Sequence, residues 1–393
     1  MNNDHAHANA PEHTPAPAPP TLVECLAAVE DPRMNRTRRH KLVDVLTIGL
    51  CSMLTGGEGF NDMALFGRIK RDWLREFLEL PKGVPTHDTF NRVFSAIDPR
   101  CFLDCFVRWV RGICPALEGD VVAIDGKALR HALDEGNPIP YIVSAWAAQN
   151  RLALGQVKVD DKSNEITAIP ELLKALYLKG CIVTIDAMGC QKEIAAQIAE
   201  KGADYVLALK GNHATAHEEI ALFFEKTVAP CATAPTDFVT PGTMDFHETV
   251  DKDHGRLEIR HYWLSTDIGW FQDRKLWKKL ASFGMVESMR LVRGKCSIER
   301  RFFLCSLTLD VKAFAVAVRA HWCVENPLHW CLDVIFREDQ SRARCKHAAQ
   351  NLATLRRIAL NLIKKNERPQ VSQRQKRILA ALDTAFLEEL LGI

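Results

Sequence analysis
Apolar positions recur at helical spacing early in the chain. Leu42, Val45, Leu46, Leu50 and Leu54 fall three or four residues apart until Gly56 and Gly57 interrupt them, which predicts a helix. Two shorter helices flank the stretch Pro81 to Pro85, with Thr86 or Asp88 placed to cap the segment TFNRVFSAI. From Asp120 the period shortens. VVAIDGK, YIVSAWAAQ and LALGQVKV read as the strands of a meander, EITAIPELLKALYL as a helix, and CIVTIDAMG as a second buried strand. KEIAAQIAEKG is then helical and DYVLALKGN a further strand. Antiparallel strands followed by βαβ units predict an α/β fold, a mixed sheet flanked by helices.

The pattern turns irregular between about residues 227 and 309, where Pro230, Pro235 and Pro241 precede the strand-like pieces EIRHYWLST, MRLVRGKCS and RRFFLCSLT. This reads as a β-rich insertion. A helix covers the stretch from Arg319 to Arg344, followed by an amphipathic helix on Leu352, Leu355, Ile358 and Leu362 and a last short helix from about Arg374 to Leu391. The expected organisation is a disordered tail over 1–20, an N-terminal helical domain over 21–117, a core in two parts over 118–226 and 310–393, and the insertion between them.

Composition narrows the class. The chain has 393 residues, is 47% hydrophobic and carries a formal net charge of +2, so any polyanion must be met by local charge. Two segments supply it. Eleven Lys or Arg stand against Glu367 alone from Gln340 to Ala380, and nine against Glu287 and Glu299 from Arg274 to Arg301. The bland alternative is a set of solvated helix and hairpin faces. Thirteen cysteines without a CxxC pair point to a reducing cytosol rather than a disulfide framework, and no signal peptide or membrane span is recognisable, so a cytoplasmic protein is expected. The tail histidines His5, His7 and His13 read as solvated. Helix, turn and helix with Arg92 on the second element has the form of a DNA reader, although any small bundle shows it.

The chemistry begins with two aspartates. Asp125 and Asp186 each end an apolar β-branched run and precede a small residue, which sets two carboxylates side by side at a sheet edge. Such a pair repels itself unless a cation intervenes, and oxygen donors of this kind suit hard divalent ions used in phosphodiester displacement. For either aspartate alone, a turn residue is the simpler explanation. Glu325, His329 and Asp333 lie four residues apart on roughly one helix face, close to the apolar stripe of Trp322, Leu328, Leu332 and Ile335, and Glu325 is the leading third carboxylate. His329 and Asp333 are the supporting candidates. Zinc spacing such as HExxH is absent, as are GxxxxGK[ST] and GxGxxG, which removes support for nucleotide use. Lys127 and Lys210 could each contact a phosphate or be surface lysines beside turns. Trp322 and Trp330 could stack on a base, with core packing as the simpler reading.

The segments AIDGKALR, TIDAMGCQKEIA, YVLALKGN, HGRLEIR and RAHWCVENPLHWCLDVIFREDQSR resemble the ISAs-type insertion-sequence transposases, the H-repeat-associated proteins. DPR, MLTGGEGF and GVPTHDTFNRVFSAIDP resemble the helical domain that precedes their core, so the likeness covers nearly everything after residue 22. It implies a DDE transposase with an RNase H-like core, in which Asp125, Asp186 and Glu325 are the catalytic metal ligands, 61 and 139 residues apart, for Mg²⁺ or its substitute Mn²⁺. It also implies DNA as partner, both element ends and target, and a homodimer acting on two ends without a membrane. Related transposases carry Tyr, Arg and Lys at positions here held by Val318, His321 and Leu332, which moves the phosphate-gripping role to Arg319, His321 or Arg337. Pro327 is expected to kink the glutamate helix. A nuclease of the same fold without strand transfer and an inactive DNA-binding descendant share these features.

Overall fold
The computed structural model describes residues 19–114, 117–130, 139–159, 164–228, 242–253 and 256–393. The tail histidines and the prolines at 230, 235 and 241 lie outside them. Helices come first: α1 (Leu22–Ala27), α2 (Leu42–Leu54), α3 (Phe60–Ile69), α4 (Arg71–Leu74), α5 (His87–Ala96) and α6 (Pro99–Ile113). The helix predicted from Leu42 to Leu54 is α2, buried nearly all round; its buried Asp44 accepts the Leu80 amide at 3.0 Å. Beyond it, Gly56 takes φ 107°, a conformation side-chain-bearing residues avoid.

The sheet follows, with strands β1 (Val121–Ala128), β2 (Tyr141–Ala147), β3 (Leu152–Lys158), then α7 (Glu165–Ala175), β4 (Ile182–Ile185), α8 (Lys192–Glu200), β5 (Asp204–Leu209) and α9 (Ala214–Thr227). Then come β6 (Met244–Asp253), β7 (Arg256–Ser265), β8 (Ser282–Val292) and β9 (Lys295–Cys305), followed by α10 (Val311–Trp322), a π-helix (Glu325–Ile335), α11 (Ala348–Lys365), α12 (Gln373–Leu382) and α13 (Thr384–Leu391). Among the described residues the strands form one nine-stranded sheet in the order β3-β2-β1-β4-β5-β9-β8-β7-β6. The first three are antiparallel, and β1, β4 and β5 run parallel.

The β-rich segment does not stand apart from the core. β9 pairs antiparallel with β5, so that β6–β9 extend the central sheet. The sequence MRLVRGKCS is not one strand but the end of β8, a two-residue turn and the start of β9; Arg293 (φ 49°) and Gly294 (φ 78°) both take the left-handed conformations that tight two-residue hairpins require. β6, an edge strand rich in Asp and Glu, gave no apolar signal to read. On β8, Gly284 leaves room for the Phe314 ring of α10, and a Cβ there would collide with it.

Three departures concern the C-terminal part. α11, expected to be amphipathic, is buried on every side because it joins the helical block to the sheet. Asn351 donates to the carbonyls of Phe94 (2.8 Å) and Ile97 (3.0 Å), and Asn361 exchanges two hydrogen bonds with Ala153 (2.8 and 2.9 Å). The last helix is two, broken at Asp383, whose carboxylate accepts the Ala385 amide and caps α13. The stretch from Arg319 to Arg344 is not one helix either. It passes from α10 into π winding, where the His329 amide reaches back five residues to the Val324 carbonyl at 3.2 Å, and ends at Arg337 with φ 50°. Pro327 offers no amide hydrogen, and the winding widens where a kink was expected.

Candidate active site
Register brings the two aspartates together. Ile124 pairs with Ile185 across parallel β1 and β4, so the next residue on each chain, Asp125 and Asp186, stands beside the other. β4 ends at Ile185, whereas β1 runs on to Ala128 against β2, so Asp125 lies within its strand, not at its end, and opens where its β4 neighbour stops. Past β4 the chain turns, and Asp186 accepts the amides of Met188 (3.1 Å) and Gly189 (3.4 Å). A cavity of about 180 Å³ holds Asp125, Asp186 and Glu325 in its wall with Lys210, Arg301 and His321. Glu325 enters as the first residue of the π-helix.

Negative charge at this point is poorly compensated. Burial, then the charges of Asp186, Glu165 and Glu325, push the Asp125 carboxyl up to about 6, against a hydrogen bond from the Gly126 amide. Glu165 was not singled out in the sequence. It is the first residue of α7, and its carboxylate accepts a hydrogen bond from the Tyr141 hydroxyl and is raised by burial and by Asp186. Gly126 permits that approach, since a Cβ would run into both Glu165 and the Tyr141 ring. The signal available was weak: Glu165 is only a helix-starting acid behind an Asn cap. Among the described residues no three His, Cys, Asp or Glu side chains are gathered into a ready-made ligand set, so the carboxylates line one cavity without converging on a point.

The π-helix crosses β1 beside alternate residues of one face. His329 sets Nδ1 3.6 Å from Asp125 Oδ2, and two residues along the strand Lys127 pairs with Asp333. Burial, then Arg357 and Lys127, lower His329 to about 4, so this contact joins a neutral imidazole to the carboxylate. Lys127 is enclosed by Asp333, Glu338 (3.2 Å) and Asp339 (3.3 Å). Burial opposes its charge, but those carboxylates outweigh it and raise the ammonium above its ordinary value. Fully buried Glu338 also receives Arg357 Nη1 at 2.9 Å, and Arg357 donates to Ser144 at 3.1 Å.

The remaining expected cations scatter. Lys210 and His321 line the cavity, and His321 Nδ1 lies 3.2 Å from Thr184 Oγ1. Arg319 lies outside it, 3.7 Å from Asp251. Arg337 pairs with Glu58 at 3.2 Å and binds Gln340, also away from the cavity. In their place stands Arg301, missed in the sequence because a strand arginine carries no motif. Glu299 holds its guanidinium (3.0 and 3.3 Å), which lies 4.9 Å from the Trp322 ring. Trp322 (50% exposed) and Trp330 (53%) are not core residues.

Residues 118–362 match the family model described as the transposase DDE domain, and residues 23–110 match the one described as DDE_Tnp_1-associated. The chain belongs to the DDE transposases. It is similar to the H repeat-associated YhhI of Escherichia coli K12, 36% identical over 94% of this chain and 97% of that protein. It is likewise similar to YncI of Escherichia coli O157:H7, at 37% over 95% and 94%. A piggyBac transposase synaptic complex with hairpin DNA is 10% identical, with a TM-score of 0.42 over 94% of this chain and 78% of that one. Within this transposase, the matched DDE domain therefore spans the strands that carry Asp125 and Asp186, the β6–β9 extension and the π-helix that carries Glu325. Among its described residues no helix is long and apolar enough to cross a membrane.

Proposed function
We propose that the protein mobilises a bacterial insertion sequence. It cuts phosphodiester bonds at the element's ends and transfers the freed 3′ hydroxyl to target DNA, working as a homodimer on two ends. The observation that carries this reading is the Ile124–Ile185 register, which sets Asp125 beside Asp186 in the cavity that Glu325 also lines. The strand order β3-β2-β1-β4-β5, with β1 antiparallel to β2 and parallel to β4, supports an RNase H-like core.

Asp125, Asp186 and Glu325 would hold Mg²⁺ or Mn²⁺, and their oxygen donors and mutual repulsion fit hard divalent cations. Bound there, such ions supply the positive charge that activates an attacking oxygen and stabilises a leaving one. The chain's own residues do the rest. Lys210 and Arg301 face the scissile strand's phosphates, and neutral His329 steadies the Asp125 carboxylate. His321, whose pKa burial lowers, sits on Thr184 at the cavity wall.

The test is incubation of the purified protein with its flanking DNA as paired, labelled ends, with Mg²⁺, followed by end mapping. Cleavage at the element boundary with joined product is expected. Hydrolysed ends without joining would make the protein a nuclease of the same fold, and no cleavage of any end would leave a DNA-binding descendant.

A further inference from the structure
A much larger cavity, about 1300 Å³, opens on the other flank of the π-helix, between that helix and α12. Trp330 and Val334 of the π-helix and Ile378 and Leu382 of α12 stand in its walls, and all four are about half exposed or more. Its charge is one-sided. Arg151, Lys364, Arg374, Lys376 and Arg377 all line it, with Glu367 as the acid among its lining residues. None of those five cations makes an ion pair with a described carboxylate, whereas two rim arginines do, Arg337 with Glu58 and Arg368 with Glu389.

Lys376 and Arg377 are buried, and their donors rest on backbone carbonyls. Arg377 binds the Met53 carbonyl at 2.8 and 3.1 Å, and Lys376 those of Asn366 (2.5 Å) and Ile363 (3.3 Å). Carbonyls satisfy the hydrogens but leave the charge, which at Arg377 is met in part by Glu58 and by the Phe336 ring at 4.5 Å, and a buried cation short of an anion is costly. Burial, with neighbouring cations, lowers both Lys364 and Lys376. Arginines continue past this cavity, there alongside acids. Arg337 is shared with an adjoining cavity of about 610 Å³ lined by Arg342 and Arg344 together with Glu58 and Asp62.

We propose that this groove holds the phosphate backbone of a duplex DNA segment, a binding site separate from the carboxylate cavity. The inference rests on the DNA-processing reading above. A repeating polyanion suits cations spread over two joined cavities, and the half-exposed apolar side chains between them suit sugar faces. The π-helix joins the two sites, carrying Glu325 and His329 toward the carboxylates and Trp330 and Val334 toward the groove.

The test measures binding of a fluorescent duplex carrying the element end by anisotropy, across a salt series, with full-length protein. Arg151→Asn with Arg374→Gln is the groove variant; Asn tolerates the left-handed backbone at Arg151 (φ 55°), and Arg374 is exposed. Lys174→Gln with Lys179→Gln removes equal charge elsewhere, and circular dichroism checks that both fold. The groove variant should bind on the order of tenfold more weakly, with a log–log salt slope shallower by about 2, and the control should match wild type. Unchanged affinity and slope in the groove variant would overturn the inference and turn attention to an acidic protein segment, leaving the proposed function standing. Failure of wild type to bind duplex at any salt would overturn both.

Discussion

His329 holds Nδ1 3.6 Å from Asp125 Oδ2, and with its pKa lowered to about 4 it meets that carboxylate as a neutral ring. A neutral imidazole can orient a carboxylate without neutralising it, as groups behind metal ligands do. His329→Ala is therefore expected to weaken cation-dependent end cleavage by about 10- to 100-fold while leaving DNA affinity unchanged. Titrating cleavage against Mg²⁺ checks it: the midpoint should move to higher concentration.

Glu338 is a stability residue. It is fully buried against Arg357 and Lys127, and despite the cost of burial those cations lower its pKa to about 2. A carboxyl lowered on folding contributes stability that is complete above its unfolded value, near 4.5, and is lost as pH falls toward 2. Glu338→Gln should cost about 3 kcal/mol at neutral pH, because it leaves Arg357 and Lys127 facing too little negative charge. It should also flatten the loss of stability between pH 4.5 and 2. Urea unfolding across that range reads both effects, and an acid limb as steep as wild type would place the relevant carboxylate elsewhere.

The approach of Glu165 to Asp125 depends on Gly126. Gly126→Ala puts a methyl into the space held by Glu165 and the Tyr141 ring, and should displace the carboxylate and depress cleavage. Glu165→Gln keeps the shape and removes one of the charges that raise Asp125. The Asp125 carboxyl should then titrate lower, below about 6, measured by carboxyl-resolved NMR without divalent ions. An unmoved titration would show that Glu165 does not act on the site.

Arg301 and Arg319 separate two positions for the phosphate grip. Arg301 lines the carboxylate cavity, whereas Arg319 faces Asp251. Arg301→Gln should slow end cleavage at least about tenfold, the scale of a lost charge-assisted contact, with Arg319→Gln close to wild type. The reverse order would return the role to Arg319.

The elements that fix the candidate site were legible because their signals are local. The apolar runs ending at Asp125 and Asp186 are β1 and β4, and the spacing of Glu325, His329 and Asp333 matches a helix laid along β1. What was illegible depends on tertiary partners. Nothing near Lys127 announces that Asp333, Glu338 and Asp339 will enclose it, and nothing near Arg301 announces the cavity that it lines. α11 carries a stripe in sequence, yet burial of Arg356, Arg357, Asn351 and Asn361 follows from the elements around it. π winding after Val324 is hidden for the same reason, since residue spacing does not distinguish it from an α-helix.

The central claim is that Asp125, Asp186 and Glu325 act together on phosphodiester bonds. Its most direct measurement is Mg²⁺-dependent cleavage of an end-containing duplex by Asp125→Asn, Asp186→Asn and Glu325→Gln, with duplex binding measured in parallel. Each variant is predicted to bind DNA like wild type and to leave no cleaved product. Normal cleavage by any one of them would remove that residue from the site and contradict the account.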